Sequence, residues 1–114
     1  MQNRAQKLGA FLVSVLALVV SVNIAPDAAE MLLARGEGDN AVRIENVFAC
    51  VGGRSVAMVR NGSPEDTANY DVVETMGLVV YVPRSMSFED DIPRIVTFPR
   101  RTGGRGAGVP NTRR

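Results

Sequence analysis

One side chain in this sequence stands out for its chemistry: the thiol of Cys50, the only cysteine in the chain. The chain has no histidine, so it lacks the commonest general base and the commonest transition-metal ligand. Its single lysine, Lys7, precedes the part that can form a domain. Acid–base, Schiff-base and nucleophilic mechanisms would therefore need unusual participants, and the sequence predicts no catalytic residues and a protein that is not an enzyme.

Cys50 is followed closely by Gly52-Gly53, a pair that predicts a bend beside the thiol. The functional interpretation is an accessible thiolate, and the alternative is a small buried hydrophobic side chain next to a glycine turn. A single cysteine cannot form a disulfide within the chain, so cysteine usage gives no argument for an oxidising compartment.

Composition predicts a small globular domain, because 46% of the 114 residues are hydrophobic and many of these are valine. The net charge of +1 hides a segregation along the chain. All 12 acids lie between Asp27 and Asp91, where five arginines oppose them and leave a net charge of −7. The closing stretch from Arg94 contains six arginines and no acid. Its part from Pro99 lacks the repeats and aromatic residues typical of RNA-binding segments, so we expect no nucleic-acid partner.

The N-terminal stretch Leu8–Ala25 contains 18 residues without a charge and follows Arg4 and Lys7. This pattern predicts membrane association through a signal peptide or, more strongly, an uncleaved signal anchor, because Pro26 disturbs the available cleavage sites. As a helix the stretch would measure about 27 Å, slightly less than the roughly 30 Å of a bilayer core. The alternative is that residues 19–24 form a buried strand, which would fit a cytoplasmic protein.

Local patterns divide the chain into three parts. The predicted parts are a hydrophobic extension over residues 1–19, with residue 25 as its alternative end, one β-rich domain over residues 20–98, and a mobile Gly/Arg-rich tail over residues 99–114 with nothing to bury. Pro26 begins a short helix that ends at Gly36, with Ala29, Leu32 and Leu33 on one face. Strands are predicted over 41–47, 55–60, 70–75, 78–82 and 94–98, with a tight hairpin connection at 76–77 and a helical turn over 85–88.

Three segments in this order resemble the HesB/IscA-like domain of A-type iron–sulfur cluster carriers over about Val20 to Gly108. They are Pro26-Asp27-Ala28-Ala29-Glu30 opening a helix after a strand, Val42-Arg43-Ile44 leading into Cys50-Val51-Gly52-Gly53-Arg54, and Tyr70-Asp71-Val72-Val73-Glu74 with Gly77 and Tyr81-Val82. The resemblance implies an α+β, β-rich fold with one short helix, in addition to the N-terminal hydrophobic helix or strand.

The resemblance also implies that Cys50 is a metal and cofactor ligand for an iron–sulfur cluster or iron, since thiolate is the soft ligand that such a cluster needs. The family's second cysteine source is a C-terminal Cys-Gly-Cys pair, but the matching segment here, Thr102–Gly108, has no cysteine. Cluster binding would then require a homodimer that shares two Cys50 thiolates, completed by glutathione, water or a partner's cysteine. The alternative under the same resemblance is a degenerate relative that keeps the fold and binds no cofactor. A membrane-anchored accessory subunit of a larger complex, with an unknown protein partner, is the alternative function.

Overall fold

The structure is a computed structural model that describes residues 21–113. Its described part is β-rich with a single α-helix, which confirms the α+β class. The elements in chain order are β1 (Asn23–Ile24), α1 (Pro26–Gly36), β2 (Ala41–Val51), β3 (Arg54–Asn61), β4 (Tyr70–Thr75), β5 (Leu78–Pro83), a short 3-10 helix (Glu89–Asp91), β6 (Arg94–Pro99) and β7 (Arg105–Val109).

The seven strands form one mixed sheet in the order β1-β6-β7-β3-β2-β5-β4. The β1/β6 and β2/β5 pairs are parallel, and the other neighbours are antiparallel. The helix α1 packs Ala28, Ala29 and Leu32 into the core that the strands share. Its carbonyl at Leu32 accepts a hydrogen bond from Asn61 Nδ2 at 2.8 Å, which ties the helix to the end of β3.

The predicted helix has the predicted bounds. Pro26 occupies its first turn with Asp27, and Glu37 adopts the left-handed conformation that ends it. The predicted face is partly wrong, since Leu33 is exposed and Ala28 takes its place in the core. The β4–β5 hairpin is also confirmed, with Met76 and Gly77 both at positive φ, as a two-residue turn of this kind requires. The helical turn predicted for 85–88 lies instead at Glu89–Asp91.

The end of the N-terminal hydrophobic stretch belongs to the domain. Val22 and Ile24 are buried in the core, and β1 pairs in parallel with β6 through hydrogen bonds of 2.9 Å at Asn23 N and Ala25 N. The extension therefore does not run to residue 25, and its predicted boundary at residue 19 lies outside the described residues. Within residues 21–113 no helix is both long enough and apolar enough to span a bilayer.

The prediction of a mobile tail over residues 99–114 is wrong for its described part. Residues 105–109 form β7, which lies inside the sheet between β6 and β3. The side chain of Asn111, buried to 5% exposure, closes the segment by donating to the carbonyls of Glu89 and Ile92 and accepting from Arg94 N. Residues 106–109 are thus an interior part of the fold, whereas residues 99–105 are exposed.

Glycine is required in β7 because neighbouring groups cover the strand closely. A Cβ at Gly108 would lie 2.3 Å from Val56 Cγ1 and 2.9 Å from the carbonyl oxygen of Ala57. At Gly106 a Cβ would lie 3.0 Å from the Phe98 ring and from Arg100 Nε. The glycines therefore allow the neighbouring groups to pack closely against β7. The prediction that this glycine-rich stretch has nothing to bury is wrong for β7.

Candidate functional site

Cys50 lies near the tip of the β2–β3 hairpin, and it is exposed. It pairs in register with Ser55, and Gly52 and Gly53 make the turn between them at φ of 57° and 81°. These positive values are the reason that two glycines follow the cysteine. The predicted bend is therefore present, but Cys50 itself belongs to strand β2 rather than to the loop. The alternative of a buried structural cysteine is wrong.

A bulge interrupts the pairing of β2 with β3 before this hairpin tip. Ile44 pairs with Val59, whereas Phe48 pairs with Ala57, so that β2 has two extra residues over this interval. Such a bulge bends the strand and increases its twist. The hairpin tip that carries Cys50 therefore lies beyond a bend in β2.

Cys50 and the β6–β7 turn line one groove of about 550 Å³, which we call the Cys50 groove. Residues 49–52 of the β2–β3 hairpin form one wall, and residues 98–102 form the other. Met58, which is half-buried, and Phe98, which is 8% exposed, belong to its apolar lining. The volume falls in the range of about 300–1,000 Å³ typical of sites for small ligands.

Two arginines, Arg100 and Arg101, give the groove its charge. Their turn is fixed by backbone hydrogen bonds from Arg100 N to the Gly104 carbonyl, at 3.0 Å, and from Gly103 N to the Arg100 carbonyl, at 3.1 Å. Gly103 and Gly104 adopt the positive φ that this turn needs. The backbone next to both cationic side chains is thus well determined.

The positive charge of the groove is not neutralised within the described chain. Five other arginines form ion pairs with carboxylates, namely Arg43, Arg60, Arg84, Arg94 and Arg105. Over residues 21–113, neither Arg100 nor Arg101 forms such a pair, and no acidic residue lines the groove. The arrangement favours an anionic ligand with an apolar part.

The capacity of one chain to hold a metal ion is limited. No group of three or more His, Cys, Asp or Glu side chains comes together within the described residues, and Cys50 is the single thiol in the sequence. One thiolate supplies one of the four ligands that an iron–sulfur cluster ordinarily takes from cysteine. The residues of one chain therefore do not fit a complete cluster site.

Sequence reasoning predicted Cys50 as a site residue but missed the residues around it. The sequence pattern assigns Arg100 and Arg101 to the tail, and Met58 and Phe98 to predicted strands without a functional role. The adjacent arginine pair directly after a predicted strand was an available signal. The bulge in β2 has no comparable signal in the sequence.

The model of the CC/Se motif containing family matches residues 20–98, which is well over half of the chain. The chain belongs to the CC/Se motif containing family. No curated protein and no solved structure matches it. With a single cysteine, this member has no adjacent pair of cysteines. The span matched by the family model includes Cys50 and Phe98 but ends before Arg100 and β7, so the second wall of the groove lies largely beyond it.

Proposed function

We propose that this chain is a HesB/IscA-like protein that handles iron or an iron–sulfur cluster as cargo, with Cys50 as its own thiolate ligand. The observation that carries the proposal is that exposed Cys50 shares a groove with Thr102. Thr102 opens the segment Thr102–Gly108, which the resemblance aligns with the region of the family's C-terminal cysteine pair. Under this alignment, Cys50 and the first residue of the second proposed ligand region line the same groove.

The chemistry of the groove is compatible with such a cargo. Thiolate is a soft ligand that iron–sulfur clusters use, and an exposed thiol can be reached without opening the core. Clusters bound by several thiolates carry negative charge, which Arg100 and Arg101 would offset. The apolar surface of Met58 and Phe98 limits the access of water to one side of the site.

The number of thiolates requires a shared site. Two copies of the chain would each contribute Cys50, and the remaining positions would be filled by glutathione, water or a cysteine of a partner protein. Because Cys50 is exposed and lies near a hairpin turn, we expect that a second chain can approach it. Within the same family proposal, the alternative is a degenerate relative that keeps the fold but no longer binds cargo.

Anaerobic reconstitution of the full-length chain with iron, sulfide and a thiol reductant tests the proposal. We expect charge-transfer absorption and up to about one iron per chain in the wild type, the content of one binuclear cluster shared by two chains, and neither in Cys50→Ala. Ser63→Ala is the matched control, because it truncates an exposed small polar side chain in the β3–β4 loop. Absorption that persists in Cys50→Ala would remove Cys50 from the site. A wild type that gains neither absorption nor iron would contradict the proposal and would favour the degenerate relative, which no longer binds cargo.

A further inference from the structure

The Cys50 groove combines two adjacent arginines with apolar surface. Of the ten arginines in residues 21–113, five form ion pairs, and Arg100 and Arg101 are the two unpaired ones that line this groove, while Arg35, Arg54 and Arg113 lie elsewhere. A cluster of uncompensated cations beside an apolar surface is a binding feature for an anionic ligand. Guanidinium groups bind carboxylates with paired, directional hydrogen bonds, so carboxylate is the anion that we consider first.

The size and position of the groove restrict the ligand further. A volume of about 550 Å³ in an open groove suits a small molecule or a very short peptide. Met58 and Phe98 provide a surface against which an aliphatic part can pack. The exposed residue Cys50 lines the same groove as Arg100 and Arg101. A ligand that contacts all three must carry an anionic group for the guanidinium groups and a part that fits beside the thiol.

We propose that the Cys50 groove binds a small anionic thiol peptide of the glutathione class. Such a peptide carries a carboxylate at each end and a thiol between them. Its carboxylates would pair with Arg100 and Arg101, and its thiol would lie beside Cys50 as the next soft ligand for the cargo. The choice of a thiol, though not the choice of an anionic peptide, rests on the proposed function. Two chains with two bound peptides would then supply the four thiolates of a binuclear cluster.

Calorimetric titration of the full-length, metal-free, reduced protein with glutathione tests this inference. We expect saturable binding that S-methylglutathione reproduces, because recognition depends on the carboxylates and not on a free thiol. Glutathione diethyl ester, which lacks the carboxylate charges, is expected to bind at least tenfold more weakly. Equal binding of the ester and the free peptide would overturn the proposal.

Charge-reversal variants identify the residues involved. The double variant R100E/R101E is expected to weaken glutathione binding at least tenfold, and R101E alone by a smaller factor. Because the Arg100 side chain packs close to Gly106, R101E keeps the test valid if the double variant is unstable. The matched control is R54E, since Arg54 is exposed near the β2–β3 turn but does not line the groove. Unchanged affinity in R101E, or an equal loss in R54E, would contradict the assignment.

Two further outcomes separate this inference from its rivals. If an acetylated acidic peptide without cysteine binds at least tenfold more tightly than glutathione, the groove is a docking site for a protein segment and the proposal is wrong. Reconstitution with dithiothreitol separates the two proposals. A cluster that forms without any glutathione affinity contradicts this inference alone, whereas glutathione binding without any cluster contradicts only the proposed function.

Discussion

Gly108 shows how the absence of a side chain permits close packing between neighbouring strands of this fold. The residue lies in β7 opposite Met58, and the methyl group of Val56 and the carbonyl of Ala57 occupy the space that a Cβ would need. A glycine-rich stretch in a sequence is typical of a linker or of a closely covered strand. In this fold the stretch is a closely covered strand, because the neighbours of β7 supply the apolar surface that β7 itself lacks.

Gly108→Ala is expected to lower the free energy of unfolding by about 1–3 kcal/mol, the usual cost of overpacking a dense site. The new Cβ would lie 2.3 Å from Val56 Cγ1 and 2.9 Å from backbone, so the strand must shift. Gly36→Ala is the control, because its nearest neighbour is an ordinary 3.5 Å away and its φ is not positive. Urea denaturation measures both. Equal stability of Gly108→Ala and the wild type would contradict the packing account.

Asn111→Ala is expected to lower the free energy of unfolding by about 2–3 kcal/mol, because buried polar groups that lose their partners are costly. Asn111 Nδ2 donates to the carbonyls of Glu89 and Ile92, at 3.0 and 2.9 Å, and its Oδ1 accepts from Arg94 N at 3.1 Å. The exposed Asn46→Ala provides the comparison. Thermal unfolding followed by circular dichroism checks this, and identical midpoints for the two variants would show that the side chain is dispensable.

At the scale of elements, the sequence predicted what depends on local chemistry. Pro26 and Gly36 bound the helix, and Met76-Gly77 forms the hairpin turn, because the conformations of these positions follow from their own residues. Two features depend on distant partners instead. The bulge between Ile44 and Phe48 appears only in the pairing with β3, and β7 becomes a strand only because β6 and β3 lie on either side of it.

The same distinction applies to the candidate site. Cys50 could be predicted because its residue type is unique in the chain and glycines follow it. The role of Arg100 and Arg101 could not be predicted, since about fifty residues separate them from Cys50 and they share a groove with it only in the folded chain. Long-range pairing of this kind leaves no periodic pattern in either segment.

A chain that ends at Gly104 is expected to lose its cooperative thermal transition and to aggregate. Removing β7 leaves the hydrogen-bonding edges of β3 and β6 without their shared neighbour in the middle of the sheet. A chain that ends at Arg113 serves as the control and should unfold like the full-length protein. A truncated chain that keeps the native circular dichroism spectrum and melting temperature would support a dispensable tail.

For the whole molecule, the buried C-terminal end of the stretch Leu8–Ala25 bears on whether the protein associates with a membrane. Val22 and Ile24 contribute to the domain core, so they are not available to a membrane anchor. The uncharged run that precedes the described residues is then Leu8–Val20, which as a helix would measure about 20 Å, well below the roughly 30 Å of a bilayer core.

Carbonate washing of membranes from cells that express the full-length chain is therefore expected to release it. Iron–sulfur carriers work where thiols stay reduced, and release is the result that agrees with the proposed function. A chain of the same length in which Ser14 is replaced by Leu tests whether added hydrophobicity alone changes the result. Retention of the wild type in the washed pellet would instead favour the anchored accessory subunit.

The most direct test of the central claim is the iron and sulfide content of the reconstituted protein, measured across its peak on anaerobic size-exclusion chromatography. The account predicts that iron co-elutes with a dimer at about one binuclear cluster per two chains, in keeping with four thiolates per cluster. It also predicts that Cys50→Ala elutes without iron while retaining the wild-type circular dichroism spectrum. An equal amount of iron on Cys50→Ala, or iron carried by the wild-type monomer, would contradict it.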